Sequence, residues 1–224
     1  MAVEFTGFPR EGLDFLAELP SHDKEWFAAN RGPYDECVAA SAKVFVDALG
    51  ERLQDAISPA IVVQPKVNGA ISPINRDVRF SADKTAYKDH LLLKWWEGEN
   101  KKLAPTFYVR LSSVAVGFAS GAMFDSVDRW REAVDDEKSG ASLVAALHEL
   151  AAGRELEVAG AELKRVSAPY GADHPRADLL RHKMFQARWS EPLPDSVSKA
   201  EFVDWCAERL VATTDVHRWL VDNL

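Results

Sequence analysis

Between Tyr34 and Ala56 apolar residues return every third or fourth position, and after Ser58-Pro59 that period disappears. Tyr34, Val38, Ala42, Phe45, Leu49, Leu53 and Ala56 make a helical stripe, with Asp35, Lys43, Glu51 and Arg52 free for a wet face. Downstream, Ile61-Val62-Val63, Ala70-Ile71, His90 to Trp96, Phe107 to Leu111 and Val114 to Phe118 read as short strands, the last two joined across Ser112-Ser113. Helical spacing then returns at Val127, Trp130 and Val134, and again at Leu143, Leu147 and Leu150. A further strand is expected in His182 to Arg188, before C-terminal helices on Phe202, Trp205, Cys206 and Leu210 and on Val216, Trp219 and Leu220. Strands joined by tight loops pair antiparallel, because parallel pairing needs long crossovers. The expected fold is therefore α+β: a central, mostly antiparallel sheet of about five strands, flanked by N-terminal and C-terminal helices.

Local signals divide the helices. Leu13, Leu16 and Leu19 give a short period that stops at Pro20. Ser21 is expected to cap a helix from Asp23 to Asn30, and Gly32-Pro33 to break it. Ser198 and Glu201 have the spacing of a capping box. Trp95 and Trp96 are adjacent, so in a strand they face opposite sides.

Composition narrows the class. Apolar residues at 47% supply a real core, which argues against disorder. With no repeat and no linker-like stretch, residues 1–224 read as one domain. The net charge of -8 opposes phosphate polyanions and anionic lipid surfaces, so neither nucleic acid nor a membrane is an expected partner. Glu4, Arg10 and Glu11 interrupt any apolar leader, and no apolar run is long enough for a span. Cys37 and Cys206 are too few and too distant for a disulfide framework or a zinc motif. They read as thiols in a reducing compartment, which makes the cytoplasm the expected location.

Known chemical motifs are missing. No Gly-rich loop ends in Gly-Lys-Ser/Thr, and no G-x-G-x-x-G occurs. The six histidines lack metal-ligand spacing, so no metal or cofactor is expected. Ser120 stands one place out of register for a nucleophile elbow.

The densest polar cluster runs from Asn75 to His90 and holds four Lys/Arg and three Asp, an excess of positive charge in an acidic chain. In an extended conformation Asp77, Arg79 and Ser81 would share one face, with Val78 and Phe80 on the other. Arg76, Arg79, Ser81, Asp83, Lys84, Tyr87 and Lys88 are the candidate ligand-binding residues, because guanidinium forks and ammonium groups suit phosphate or carboxylate. Asp77 and His174 are the candidate acid/base residues. Three readings stay open: a binder of an anionic small molecule, an enzyme acting on one, or an interaction protein in which the segment is an ion-pair brace. The oligomeric state is left open.

Arg76-Asp77-Val78-Arg79-Phe80-Ser81, with Asp83-Lys84-Thr85 and Tyr87-Lys88, resembles the signature of an uncharacterised family of domains of unknown function, DUF2461. Flanking stretches are similar to that family too: Gly7-Phe8-Pro9, Glu25-Trp26-Phe27 to Arg31, Glu162 to Arg165, Pro169-Tyr170-Gly171, Asp173-His174-Pro175 and Leu180 to Lys183. Ser21 to Lys24 and Ala86 depart from its usual residues. The resemblance covers nearly the whole chain, and it implies positions of interest rather than an activity.

Overall fold

A computed structural model describes residues 4–160 and 163–224. The fold is α+β. Helices α1 (Arg10–Glu18), α2 (Lys24–Ala29), α3 (Arg31–Tyr34) and α4 (Ala40–Ala56) lead into strand β1 (Ile61–Val62). Strands β2 (His90–Glu97), β3 (Thr106–Ser112) and β4 (Ala115–Met123) follow, then helices α5 (Val127–Asp135) and α6 (Glu137–Ala151). The chain continues through β5 (Glu157–Ala159), α7 (Ala177–Leu180) and β6 (Met184–Pro192) to helices α8 (Phe202–Val211) and α9 (Thr214–Asn223). The six strands form one antiparallel sheet in the order β1-β2-β3-β4-β6-β5. β5, which no expected strand covers, pairs antiparallel with β6 through Glu157 opposite Arg188, whereas the strand expected at Ala70-Ile71 is reduced to isolated bridges of Ile71 with Val67 and Leu93. No helix among the described residues is long and apolar enough to cross a membrane.

Residue contacts divide the chain into two compact units. The first takes the residues up to Trp95, then Tyr108–Gly117 and Ser190–Arg209. Its centre is aromatic. Phe45 of α4 lies 5.1 Å from Phe5, 5.3 Å from Phe8 and 5.4 Å from Phe202, and the Trp95 indole N–H donates to the Val46 carbonyl at 3.0 Å. On β2 the buried residues Leu91, Leu93 and Trp95 alternate with half-buried His90, Leu92 and Lys94, as a strand with one covered face requires.

The N-terminal strip is fixed by a close backbone approach. Gly7 adopts φ 115°, and a Cβ there would stand 2.2 Å from the carbonyl carbon of Ser198. The Phe8 N–H donates to the Val197 carbonyl at 2.8 Å, and the Ser198 hydroxyl donates to the Phe8 carbonyl at 2.8 Å. Ser198 therefore does not cap a helix: its hydroxyl serves Phe8, and α8 begins later, at Phe202. The cap of α2 is likewise Asp23, whose carboxylate accepts the Trp26 N–H at 2.8 Å, while the Ser21 hydroxyl donates back to Glu18. Pro33 sits in the first turn of α3, where a missing N–H costs nothing, so it opens a helix instead of ending one. Five residues of π-helix, Asp35–Ala39, carry the chain into α4.

The second unit comprises Trp96–Phe107, Phe118–Trp189 and Leu210–Leu224. Trp130 of α5 is fully buried among Phe124, Phe185 and Trp219, and its indole donates to the Leu179 carbonyl at 2.8 Å. His217 of α9 is fully buried, stacked 3.9 Å from Phe107, with its Nε2 3.0 Å from Glu97.

Candidate functional site

The charged segment is not an extended strand. Asn75 pairs with Tyr87, the Arg76 N–H donates to the Ala86 carbonyl and the Lys88 N–H to the Ile74 carbonyl, both at 2.9 Å. This short ladder leads to a turn at Arg79-Phe80, so the two-residue alternation expected for Asp77, Arg79 and Ser81 is lost. Phe80 at the tip is 96% exposed, with the Arg79 guanidinium 5.9 Å from its ring centre.

The turn is held by its own carboxylates. Asp77 accepts two bonds from the Arg79 guanidinium, at 2.9 and 2.7 Å. That partner holds the Asp77 carboxyl below the usual range. Lys84 donates to the Val78 carbonyl at 2.9 Å. Asp83 accepts from the Thr85 hydroxyl at 2.5 Å, from the Thr85 N–H at 2.9 Å and from Arg76 Nη1. The Thr85 bonds, then Arg76, hold the Asp83 carboxyl far below the usual range.

Behind the turn lies an open hollow of about 360 Å³, lined by Pro20, Arg76, Asp83, Thr85, Tyr87, Lys88, Asp89 and His90. Four of the predicted ligand-binding residues line it: Arg76, Asp83, Tyr87 and Lys88. Arg79, Ser81 and Lys84 are not among its lining residues, and neither is Asp77. The Arg76 guanidinium has Asp83 as its only hydrogen-bond partner among the described residues, which leaves donor capacity over. Lys88 donates to the Pro73 carbonyl at 2.5 Å, and desolvation lowers its pKa.

The hollow is backed by aromatics. Tyr87, 3% exposed, lies 5.1 Å from Phe27 of α2, which lies 5.3 Å from Tyr34. Phe15 of α1 reaches Trp26 at 5.5 Å, and His22 stacks flat on the same indole at 3.6 Å. The Trp26-Phe27 stretch thus supports the wall carrying Tyr87.

Sequence reasoning missed three residues. Asp89, His90 and Arg110 form a cluster in which His90 Nδ1 is 2.6 Å from Asp89 Oδ1, and Arg110 Nη2 is 3.0 Å from that oxygen and 2.9 Å from Nδ1. Adjacent Asp and His at the end of the charged segment were the available signal. Arg110 carried none, being brought in by the pairing of β3 with β2. Desolvation lowers the His90 pKa, with Asp89 opposing it and Arg110 adding to it. The His90 bond is also the main influence lowering the Asp89 pKa.

His174 belongs to the second unit. Its Nδ1 accepts the Arg176 N–H at 3.0 Å and its Nε2 lies 3.1 Å from Asp135, so both ring nitrogens are engaged. Arg176 donates to the carbonyls of Val134 and Asp135 at 2.6 and 2.7 Å, closing the C-terminal end of α5. Glu162 lies outside the described residues, as do Met1 to Val3. No cluster of His, Cys, Asp and Glu suited to a metal ion occurs among the described residues.

A family model described as a conserved hypothetical protein, DUF2461, matches residues 11–219. No curated protein matches the chain, and no solved structure does.

Proposed function

The chain belongs to the conserved hypothetical family DUF2461, and from that premise we propose that it binds a small anionic molecule, phosphate- or carboxylate-bearing, in the hollow behind the Arg79-Phe80 turn. The observation that carries this is the meeting of Arg76, Lys88 and His90 around one open space, with Arg76 retaining unused N–H donors. A guanidinium already oriented by a carboxylate loses little side-chain freedom on taking up an anion. Lys88 is a partly desolvated ammonium, and an anion beside it would restore what burial removes. Within the segment, Arg76 and Lys88 are the candidate ligand contacts, and Tyr87 is the wall they stand on. The free thiols Cys37 and Cys206 fit a reducing, cytoplasmic setting for this role.

The test is calorimetric titration of the full chain with inorganic phosphate, dimethyl phosphate and acetate. Saturable binding that Arg76→Gln weakens and Arg79→Gln does not is the expected result. Binding weakened only by Arg79→Gln would move the site to the outer turn. No binding by any of the three anions would leave the segment as an ion-pair brace.

The brace reading has its own observation, the two-bond Asp77–Arg79 pair. It accounts for the turn but not for the hollow, since neither residue lines it.

A further inference from the structure

We propose that His90 is a catalytic base for hydrolysis of a phosphodiester held in the same hollow, with Asp89 as its positioning residue; this rests on the anion-binding reading above. His90 lines the hollow and its side chain is 19% exposed. Its Nδ1 lies 2.6 Å from Asp89 Oδ1, a geometry in which Nδ1–H donates to the carboxylate. That tautomer leaves the Nε2 lone pair for a proton. Nε2 has no hydrogen-bond partner among the described residues. Carboxylate, imidazole and an open second nitrogen are the parts of an oriented base.

The charges around the ring come from two elements. Lys88 and Asp89 immediately precede His90 in sequence, Arg110 reaches it from β3, and Arg76, Asp83 and Tyr87 line the hollow beside it. Arg110 fixes Asp89 and, lying 2.9 Å from Nδ1, disfavours the imidazolium. Burial acts in the same direction, so the free ring is a neutral base at pH 7. Among the lining residues the cations Arg76 and Lys88 are matched by the carboxylates Asp83 and Asp89; Arg110 meets Asp89 from β3, and Asp23 and Glu25 act on Tyr87. A phosphodiester monoanion meets less repulsion from these carboxylates than a phosphomonoester dianion does.

The step balances. Nε2 takes a proton from water as the water oxygen bonds to phosphorus. One ester P–O bond breaks, and the departing oxygen receives that proton from the imidazolium. A phosphomonoester and an alcohol leave, the imidazole is regenerated, and nothing is oxidised or reduced. Unused Arg76 donors are placed to bear the charge that grows on the non-bridging oxygens.

The experiment uses the full chain with bis(p-nitrophenyl) phosphate, following nitrophenolate release, alongside calorimetric binding of dimethyl phosphate. The expected turnover rises with pH through a single ionisation lying below about 6.5. His90→Gln should lower kcat about 100-fold or more while dimethyl phosphate still binds. Asp89→Asn should move the ionisation to lower pH and reduce kcat while dimethyl phosphate still binds, an outcome a merely structural aspartate would not give. His90→Ala, checked for an unchanged melting temperature, should regain turnover with added imidazole. Wild-type binding of dimethyl phosphate without His90-dependent turnover would overturn the catalytic inference and leave the binding reading standing. Failure of wild-type binding would overturn both. Faster turnover of p-nitrophenyl phosphate than of the diester would overturn the preference for the monoanion.

Discussion

Arg79 and Asp77 hold each other through two side-chain hydrogen bonds, at 2.9 and 2.7 Å, on a turn where the arginine side chain is 77% exposed. The pair shapes the turn in water, where ion pairs contribute little. Arg79→Ala should therefore leave the melting temperature unchanged within measurement error and leave anion binding intact. Differential scanning fluorimetry with and without phosphate checks both, and a clear loss of thermal stability would give the pair a larger structural part.

Arg76 has the opposite prognosis. Its guanidinium meets Asp83 on one side and the hollow on the other. Arg76→Gln should weaken dimethyl phosphate binding by about tenfold, the effect of losing one charged hydrogen bond. Calorimetry at constant ionic strength is the measurement, because screening alone alters such affinities.

The contrast between these arginines shows where sequence reading succeeded and where it stopped. The helical stripe from Tyr34 to Ala56 was legible because Tyr34, Val38, Ala42, Phe45, Leu49 and Leu53 are all buried, and only Ala56, at the end of α4, is exposed. The strands β2, β3 and β4 were legible as short apolar and aromatic runs joined by tight loops. The three residues of β5 were too few to show any period. Caps were misread at Ser21 and Ser198, because a hydroxyl can serve several carbonyls and only tertiary geometry selects among them. The charged segment stood out by composition, yet which cation faces the hollow depended on a turn at Arg79-Phe80 that the alternating pattern hid. Arg110 lies 20 residues from His90, and only strand pairing brings them together.

Phe45 is the anchor of the first unit, with three phenyl rings and the Trp95 indole within 6.3 Å of its ring centre. Phe45→Ala should cost about 3–5 kcal/mol, the range for a deleted buried aromatic ring. Urea unfolding monitored by far-ultraviolet circular dichroism reads it, and a Phe45→Leu variant should recover most of the loss.

His217 links stability to pH. Burial lowers its pKa, with the Glu97 bond acting in the opposite direction. The unfolded histidine titrates near about 6.5, so below that value the unfolded chain binds the proton more readily than the folded one. The contribution is complete above the unfolded value and is lost as pH falls towards the folded value. The urea midpoint of the wild type should drop between about pH 7.5 and about pH 5.5 more than that of His217→Gln. Equal drops in the two proteins would remove His217 from the account.

The docking of Gly7-Phe8 onto Val197 to Lys199 has a consequence for synthesis. Phe8 bonds to Ser198, 190 positions later in the chain, so during synthesis Phe8 waits without its partner while that stretch is added. A nascent chain must keep that phenyl ring from aggregating until its seat exists. Truncation short of Val197 would strand it permanently, at the opposite end of the sequence from the cut.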